Sequence, residues 1–131
     1  MPVNRIPTRT IGNRGEDAAA HLLQKSGLEI IERNFSCKIG EIDIIAADLS
    51  QRMIVFAEVK ARTSSFFGYP ESAVDRRKKT HIIRSAYYYL SKSFPDDADI
   101  PWHVDIIALI YKSDRKTIRD FKWFENVTAD E

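Results

Sequence analysis

Apolar positions along this chain recur with two periods, and each change of period marks an element. From Asn13 to Ser26 the spacing is helical: Ala19, Ala20, Leu22 and Leu23 fall on one side of a 3.6-residue turn. Asn13 reads as the N-cap, Glu16 three residues later completes a capping box, and Gly27 is the stop. Leu28 to Asn34 reads as a short strand, and Phe35 to Ile39 leads onward. Between Gly40 and Arg62 two apolar, β-branched blocks, Gly40 to Ala46 and Met53 to Arg62, flank a polar break at Asp48 to Arg52. This is the signature of a hairpin, so three strands follow one another as a meander. A second helix is predicted from Ser72 to about Leu90. On it Val74, Ile82, Ile83, Ala86, Tyr89 and Leu90 share one side, and Arg76, Arg77, Thr80, Arg84 and Tyr88 share the other. Trp102 to Ile110 is a strongly apolar strand suited to the middle of a sheet, and the helix before it makes a β-α-β crossover feasible. Thr117 to Phe124 reads as a last, edge strand. The expected fold is therefore α/β, a mixed central sheet flanked by helices.

The hairpin carries charge where such strands normally carry none. Side chains alternate faces along a strand, so Glu41, Asp43 and Ile45 share one face of its first half, and Phe56, Glu58, Lys60 and Arg62 one face of its second. With a loop over Leu49 to Arg52, Asp48 pairs with Met53, and counting back sets Asp43 opposite Glu58. Directly opposed residues sit about 4.5–5.5 Å apart at Cβ, and like charges there repel. A divalent cation such as Mg²⁺, commonly held by one or two carboxylates plus waters, would compensate them. Lys60, two residues beyond Glu58 on the same face, would stand beside that cation, where it can orient a water or stabilise charge on a phosphate. A solvated strand face is the ordinary explanation for an isolated Glu-x-Lys. Here, however, Ile44, Ile45, Ile54, Val55, Phe56 and Ala57 put apolar residues on both faces, and a strand covered on both sides should not carry unexplained charge.

Other features bear on partners. Glu16 aligns with Ala20 and Leu23, at the edge of the face turned to the sheet; it is either a helix cap, which the spacing favours, or a third carboxylate reaching the hairpin. Lys78 and Lys79 both project near the apolar side of the second helix, and periodicity does not choose between them. The basic outer face of that helix offers phosphate contacts and a stacking ring. The loop Thr63 to Pro70 holds Phe66, Phe67 and Tyr69, suited to anchoring it to the core or, since it starts at the end of the charged strand, to stacking on an exposed base.

With 131 residues, 44% of them hydrophobic, the chain suits one globular domain spanning 1–131, with a flexible basic arm over 1–11 and an acidic tail over 125–131. A net charge of +1 means that any binding to nucleic acid must come from local patches. The lone Cys37 allows no internal disulfide and argues against a zinc cluster. No membrane span or signal peptide is apparent, which points to a cytoplasmic protein without membrane partners.

The order helix, three strands, helix, strand, strand, with an acidic residue in the second strand and Glu-x-Lys in the third, resembles the restriction-endonuclease-like nucleases. More specifically, Gly12-x-x-Gly15-Glu16, Asn34, Gly40-Glu41-Ile42-Asp43, the Phe56 to Arg62 block, Phe67-Gly68, Lys78 and Asp105 resemble the YraN-type family of small bacterial proteins, itself thought to be related to archaeal Holliday-junction resolvases. The resemblance implies a metal-dependent endonuclease acting on DNA, branched or structured DNA included, with Mg²⁺ or Mn²⁺ as cofactor. It implies Asp43 and Glu58 as metal ligands with the Val59 carbonyl, and Glu16 as a further acidic residue. Lys60 matches the catalytic lysine and Lys78 the lysine of the second helix, which settles the choice left open above. Arg14, Arg62, Arg76, Arg77 and Arg84 are the candidate nucleic-acid contacts. His103 and Asp75-Arg76 depart from the commonest family wording. The alternative is a non-catalytic module that keeps the fold and binds nucleic acid or a DNA-processing partner; related resolvases also make a homodimer an expectation.

Overall fold

The computed structural model describes residues 11–63, 76–97 and 99–127. In chain order it contains α1 (Ile11–Lys25), β1 (Glu29–Ser36), β2 (Glu41–Asp48), β3 (Met53–Arg62), α2 (Arg76–Ser93), β4 (Trp102–Tyr111) and β5 (Ile118–Phe124). The five strands form one sheet in the order β1-β2-β3-β4-β5. β1, β2 and β3 are an antiparallel meander, β4 runs parallel to β3, and β5 returns antiparallel at the edge. The α/β class, the meander, the crossover through α2 and the edge position of β5 all agree with the sequence pattern. The arm over residues 1–10, the aromatic loop with Phe66, Phe67 and Tyr69, the Ser72 cap, Val74 and residues 128–131 of the tail lie outside the described residues, as does the side chain of Arg14.

Each face of the sheet has its own core. On one, Ala19, Ala20 and Leu23 of α1 pack on Ile44, Ala57, Ile107 and Leu109. On the other, Ile82, Ala86, Tyr89 and Leu90 of α2 pack on Ile42, Ile45, Phe56 and Val104. The central strands are thus covered on both sides, which is why they read as nearly continuous apolar runs. α1 ends as its sequence says. Gly27 sits at φ 96°, its N–H reaches Gln24 O, and Leu28 N–H reaches Leu23 O, which closes a Schellman turn with Leu23 and Leu28 in the same core cluster.

The start of α1 differs from expectation. The helix already includes Ile11, so Asn13 and Glu16 lie within it rather than at its cap. Gly12, Asn13 and Arg14 carry no apolar periodicity, and the pattern therefore cannot see this extra turn. Its consequence is a close approach: a Cβ on Gly15 would stand 2.9 Å from the Cβ of Ala61 on β3. Gly15→Ala should gain about 1 kcal/mol of helix propensity and lose more, about 1–3 kcal/mol, by overpacking. We expect a lower urea midpoint for Gly15→Ala, restored by adding Ala61→Gly; a midpoint at or above wild type would show that α1 shifts freely.

A second polar cluster lies near the other end of β3, on the face that carries α1. Asp105 is fully buried. It accepts hydrogen bonds from Trp123 Nε1 and the Asn126 N–H, both at 2.8 Å, and pairs with His103 Nδ1 at 2.6 Å. The Asp105 carboxylate, more than burial opposes it, holds the His103 imidazole above its ordinary pKa, with Glu125 and Asp48 adding to the effect. A raised folded-state pKa stabilises fully below the unfolded value of about 6.5 and is lost as pH rises through the folded value. Thermal melts should therefore show stability falling from pH 6 to above neutrality, and His103→Gln should flatten that slope; an unchanged slope would remove His103 as its source.

Candidate functional site

Strand register brings the charged residues of the hairpin together. The β2–β3 pairing runs from Asp48–Met53 to Ile44–Ala57 and stops there. One step further would set Asp43 against Glu58, as counting through the turn predicts. Instead of a backbone pair, the Asp43 Oδ2 accepts a hydrogen bond from the Val59 N–H at 2.8 Å. The strands part at the carboxylates, and a side chain takes the place of the ladder. In an extended strand one residue's N–H and C=O point to the same side, so the Val59 carbonyl also faces this opening.

The pleat is disturbed at the same level. Ile42 and Ile45 pack on the α2 side while Ile44 packs on the α1 side, so strict alternation fails around Asp43. Across from it in β1, between the Arg33–Ile44 and Phe35–Ile42 pairs, Asn34 adopts φ 56°. Asparagine tolerates that conformation better than most residues. Its side chain hydrogen-bonds Glu16, so the irregular position in β1 is tied to the acidic residue of α1.

Two helices close on the opening from opposite faces. From α2, the Lys78 Nζ lies 3.2 Å from Glu58 Oε2, and from β3 the Lys60 Nζ lies 3.6 Å from the same oxygen. From α1, Glu16 approaches with Arg33 beside it: the Arg33 Nη2 is 2.9 Å from Asp17 Oδ1 and 3.8 Å from Glu16 Oε1. A recess of about 270 Å³ lies on the α2 side, lined by Gly40, Glu41, Asp43, Glu58, Lys78, His81 and Ile82. Gly40 is at its wall, where a Cβ would stand 3.2 Å from the Ser85 Oγ.

The electrostatics identify Asp43 as the shared charge. Burial first, and then Asp43, pushes the Glu58 carboxyl above its ordinary value, against the opposing pull of Lys78 and Lys60. Burial and then Asp43 also raise Glu16, while Arg33 and the Asn34 hydrogen bond pull it down. Glu58 and Glu16 therefore each feel Asp43, and two lysines partly balance the more buried of the two, Glu58, which is 5% exposed. The donors are hard oxygens. Among the described residues no group of three or more His, Cys, Asp or Glu side chains is gathered to hold a metal ion. Two carboxylates and a backbone carbonyl suit a cation that keeps several waters, rather than a closed zinc cage.

Asp43, Glu58, Lys60 and Lys78 are thus one cluster, with Glu16 at its α1 side. Arg62 ends β3 exposed, and its Nη1 hydrogen-bonds the Ala61 carbonyl. Arg76, Arg77 and Arg84 are exposed on α2. Sequence reasoning gave no role to three residues at the site. His81 lines the recess and Arg33 pairs with α1; Asn34 belongs to the motif, but its contact with Glu16 is not readable from spacing. His81 is one helical turn from Lys78, a signal that could have found it.

A family model described as an uncharacterised protein family, UPF0102, matches residues 15–109. A UPF0102 protein of Caldanaerobacter subterraneus is 47% identical over 91 residues, 70% of this chain and 73% of that one. UPF0102 proteins of Caldicellulosiruptor saccharolyticus and Desulforamulus reducens are each 37% identical, over 90% and 92% of this chain and 96% and 97% of their own. The matched span runs from Gly15, through the opened hairpin and Lys78, to Leu109 near the end of β4. The chain belongs to the UPF0102 family, the YraN-type family that its motifs resemble.

Proposed function

We propose that this chain is a Mg²⁺- or Mn²⁺-dependent nuclease that hydrolyses phosphodiester bonds in DNA, branched or structured DNA included. One observation carries the reading: the β2–β3 ladder opens where Asp43 and Glu58 meet, with two lysines on Glu58 and a recess beside them. Asp43, Glu58 and the Val59 carbonyl would hold the ion, and Glu16 is the nearest further carboxylate. When bound, such an ion polarises a phosphoryl oxygen and lowers the pKa of water.

The chain's own groups supply the rest. Lys60 sits at the carboxylate pair, where its ammonium can position the attacking water or stabilise charge on the phosphate. Lys78 reaches the same oxygen from α2 and fixes the Glu58 rotamer. The water oxygen would form the new bond to phosphorus as the bond from phosphorus to the sugar oxygen breaks; the attacking water gives a proton to solvent and the leaving sugar oxygen takes one from solvent, so the proton count is unchanged. The strand pair, buried on both faces, keeps this geometry rigid.

The test is cleavage of plasmid, single-stranded and four-way-junction DNA with Mg²⁺ or Mn²⁺, with Asp43→Ala as the matched control. Cleavage by wild type alone is the expected result. No metal-dependent cleavage of any of them would overturn this reading and leave the non-catalytic binding module in its place.

A further inference from the structure

α2 is charged in a way the whole chain is not. Its 18 residues hold Arg76, Arg77, Lys78, Lys79, Arg84 and Lys92 and no acidic residue, in a protein whose net charge is +1. A helix that needed only a solvated face would be expected to interleave both signs. Lys78 serves Glu58. The remaining cations are not distributed evenly around the helix.

Arg77, His81, Arg84, Tyr88 and Lys92 are spaced by four, three, four and four residues, so they form one stripe along the helix. All five are exposed, on the flank of the buried arc made by Ile82, Ser85, Ala86 and Tyr89. The stripe begins at the recess, whose lining includes His81, and its sixteen residues from Arg77 to Lys92 span about 22 Å. Near its far end is a ring. Tyr88 is 40% exposed, tilted against Phe35 of β1 at 6.4 Å between centroids, with the Lys92 ammonium 5.7 Å from its centre.

We infer that this stripe is a track for an unpaired DNA strand, which it delivers to the recess between β2, β3 and α2. Arg77, Arg84 and Lys92 meet successive phosphates, and Tyr88 stacks on a base. The charge selects a polyanion, and the ring selects an unpaired one, because a base can stack on a side chain only when its π-face is free. The stripe leads to a recess of about 270 Å³ beside the carboxylate pair. Lys92, resting on the ring in the free protein, is already placed to move to the phosphate beside a stacked base. The inference takes the end of its track from the proposed nuclease site; the track itself is tested without that chemistry.

The experiment is fluorescence anisotropy of the full chain, in EDTA so that nothing is cleaved, on a labelled oligo-dT and on a duplex of equal length across a salt series. Wild type should bind the single strand more tightly. Tyr88→Ala should weaken that binding about fivefold or more and Tyr88→Phe should largely retain it, as expected for stacking. Duplex binding should follow neither. Arg84→Ala with Lys92→Ala should make the single-strand salt slope shallower by about 1.4, that is, roughly 0.7 for each phosphate that no longer meets a cation. Equal affinity for both DNAs, equal loss on both from Tyr88→Ala, loss in Tyr88→Phe matching the alanine, or an unchanged salt slope would each overturn the track. Because no metal is present, cleavage failing while this pattern holds removes only the nuclease reading, and cleavage without this pattern removes only the track.

Discussion

Asp43→Asn should abolish Mn²⁺ binding and metal-dependent cleavage while leaving the fold as stable as wild type or more so. The two halves of this result follow from one position. Asparagine keeps an oxygen that can accept the Val59 N–H, so the junction of β2 and β3 remains held. It removes the negative charge that raises both Glu58 and Glu16, so those carboxylates are relieved of a repulsion. What disappears is half of the carboxylate pair. Removing a group that merely supports a metal ligand typically costs about 10- to 100-fold in affinity or activity, and a ligand itself should cost at least the upper figure, so we expect roughly a hundredfold or greater fall. Titration calorimetry with Mn²⁺, cleavage assays and thermal melts read the three quantities separately. Retained Mn²⁺ binding in a folded Asp43→Asn would refute the ligand assignment, and a large fall in melting temperature would show that Asp43 is a structural strut.

The register behind that prediction was legible because a turn fixes it. Once Asp48 and Met53 are opposed, every later pair of β2 and β3 follows by counting, and the ladder obeys the count down to Ile44 and Ala57. The face of α2 was legible for the same reason: Ile82, Ala86, Tyr89 and Leu90 are buried as their spacing requires. What counting could not supply is the parting of the strands at Asp43. That depends on a side chain outcompeting a backbone partner, and on Asn34 taking a left-handed conformation across the sheet, neither of which has a period.

Glu16 shows the other limit. Local rules assigned it to a helix cap because Asn13 stands three residues before it, but the helix starts earlier and the residue is spent on a tertiary contact with Asn34 and Arg33. Capping preferences act within one turn, whereas the field of Asp43 reaches Glu16 through the fold. His81 and Tyr88 were visible only as members of a wheel; that one lines the recess and the other leans on Phe35 depends on where β1 and β2 lie.

Asp105→Ala should be the most damaging substitution to stability, by about 3–5 kcal/mol, which for a chain of this size lowers the melting temperature by about 10 °C or more. The sequence shows only an aspartate in an apolar strand. The structure shows what it holds. Trp123 Nε1 and the Asn126 N–H reach its carboxylate from 18 and 21 residues away, and His103 reaches it from within β4. β5 buries little of its own: its first five residues are exposed and Trp123 and Phe124 are only half-buried, so the edge strand depends on its ladder to β4 and on this carboxylate. The Val127 N–H donating to Val104 O extends the same attachment beyond the strand. Alanine would leave three donors without an acceptor in a buried place, each costing about 1–3 kcal/mol if water cannot enter. Asp105→Asn keeps one oxygen but turns an NH₂ toward a donor, so it should fall between wild type and alanine, and Trp123→Phe should cost about 1 kcal/mol by removing a single bond. Urea unfolding of the three variants, with tryptophan emission reporting Trp123 where it is present, orders them; an alanine variant within about 1 kcal/mol of wild type would mean that β5 is held by its ladder alone.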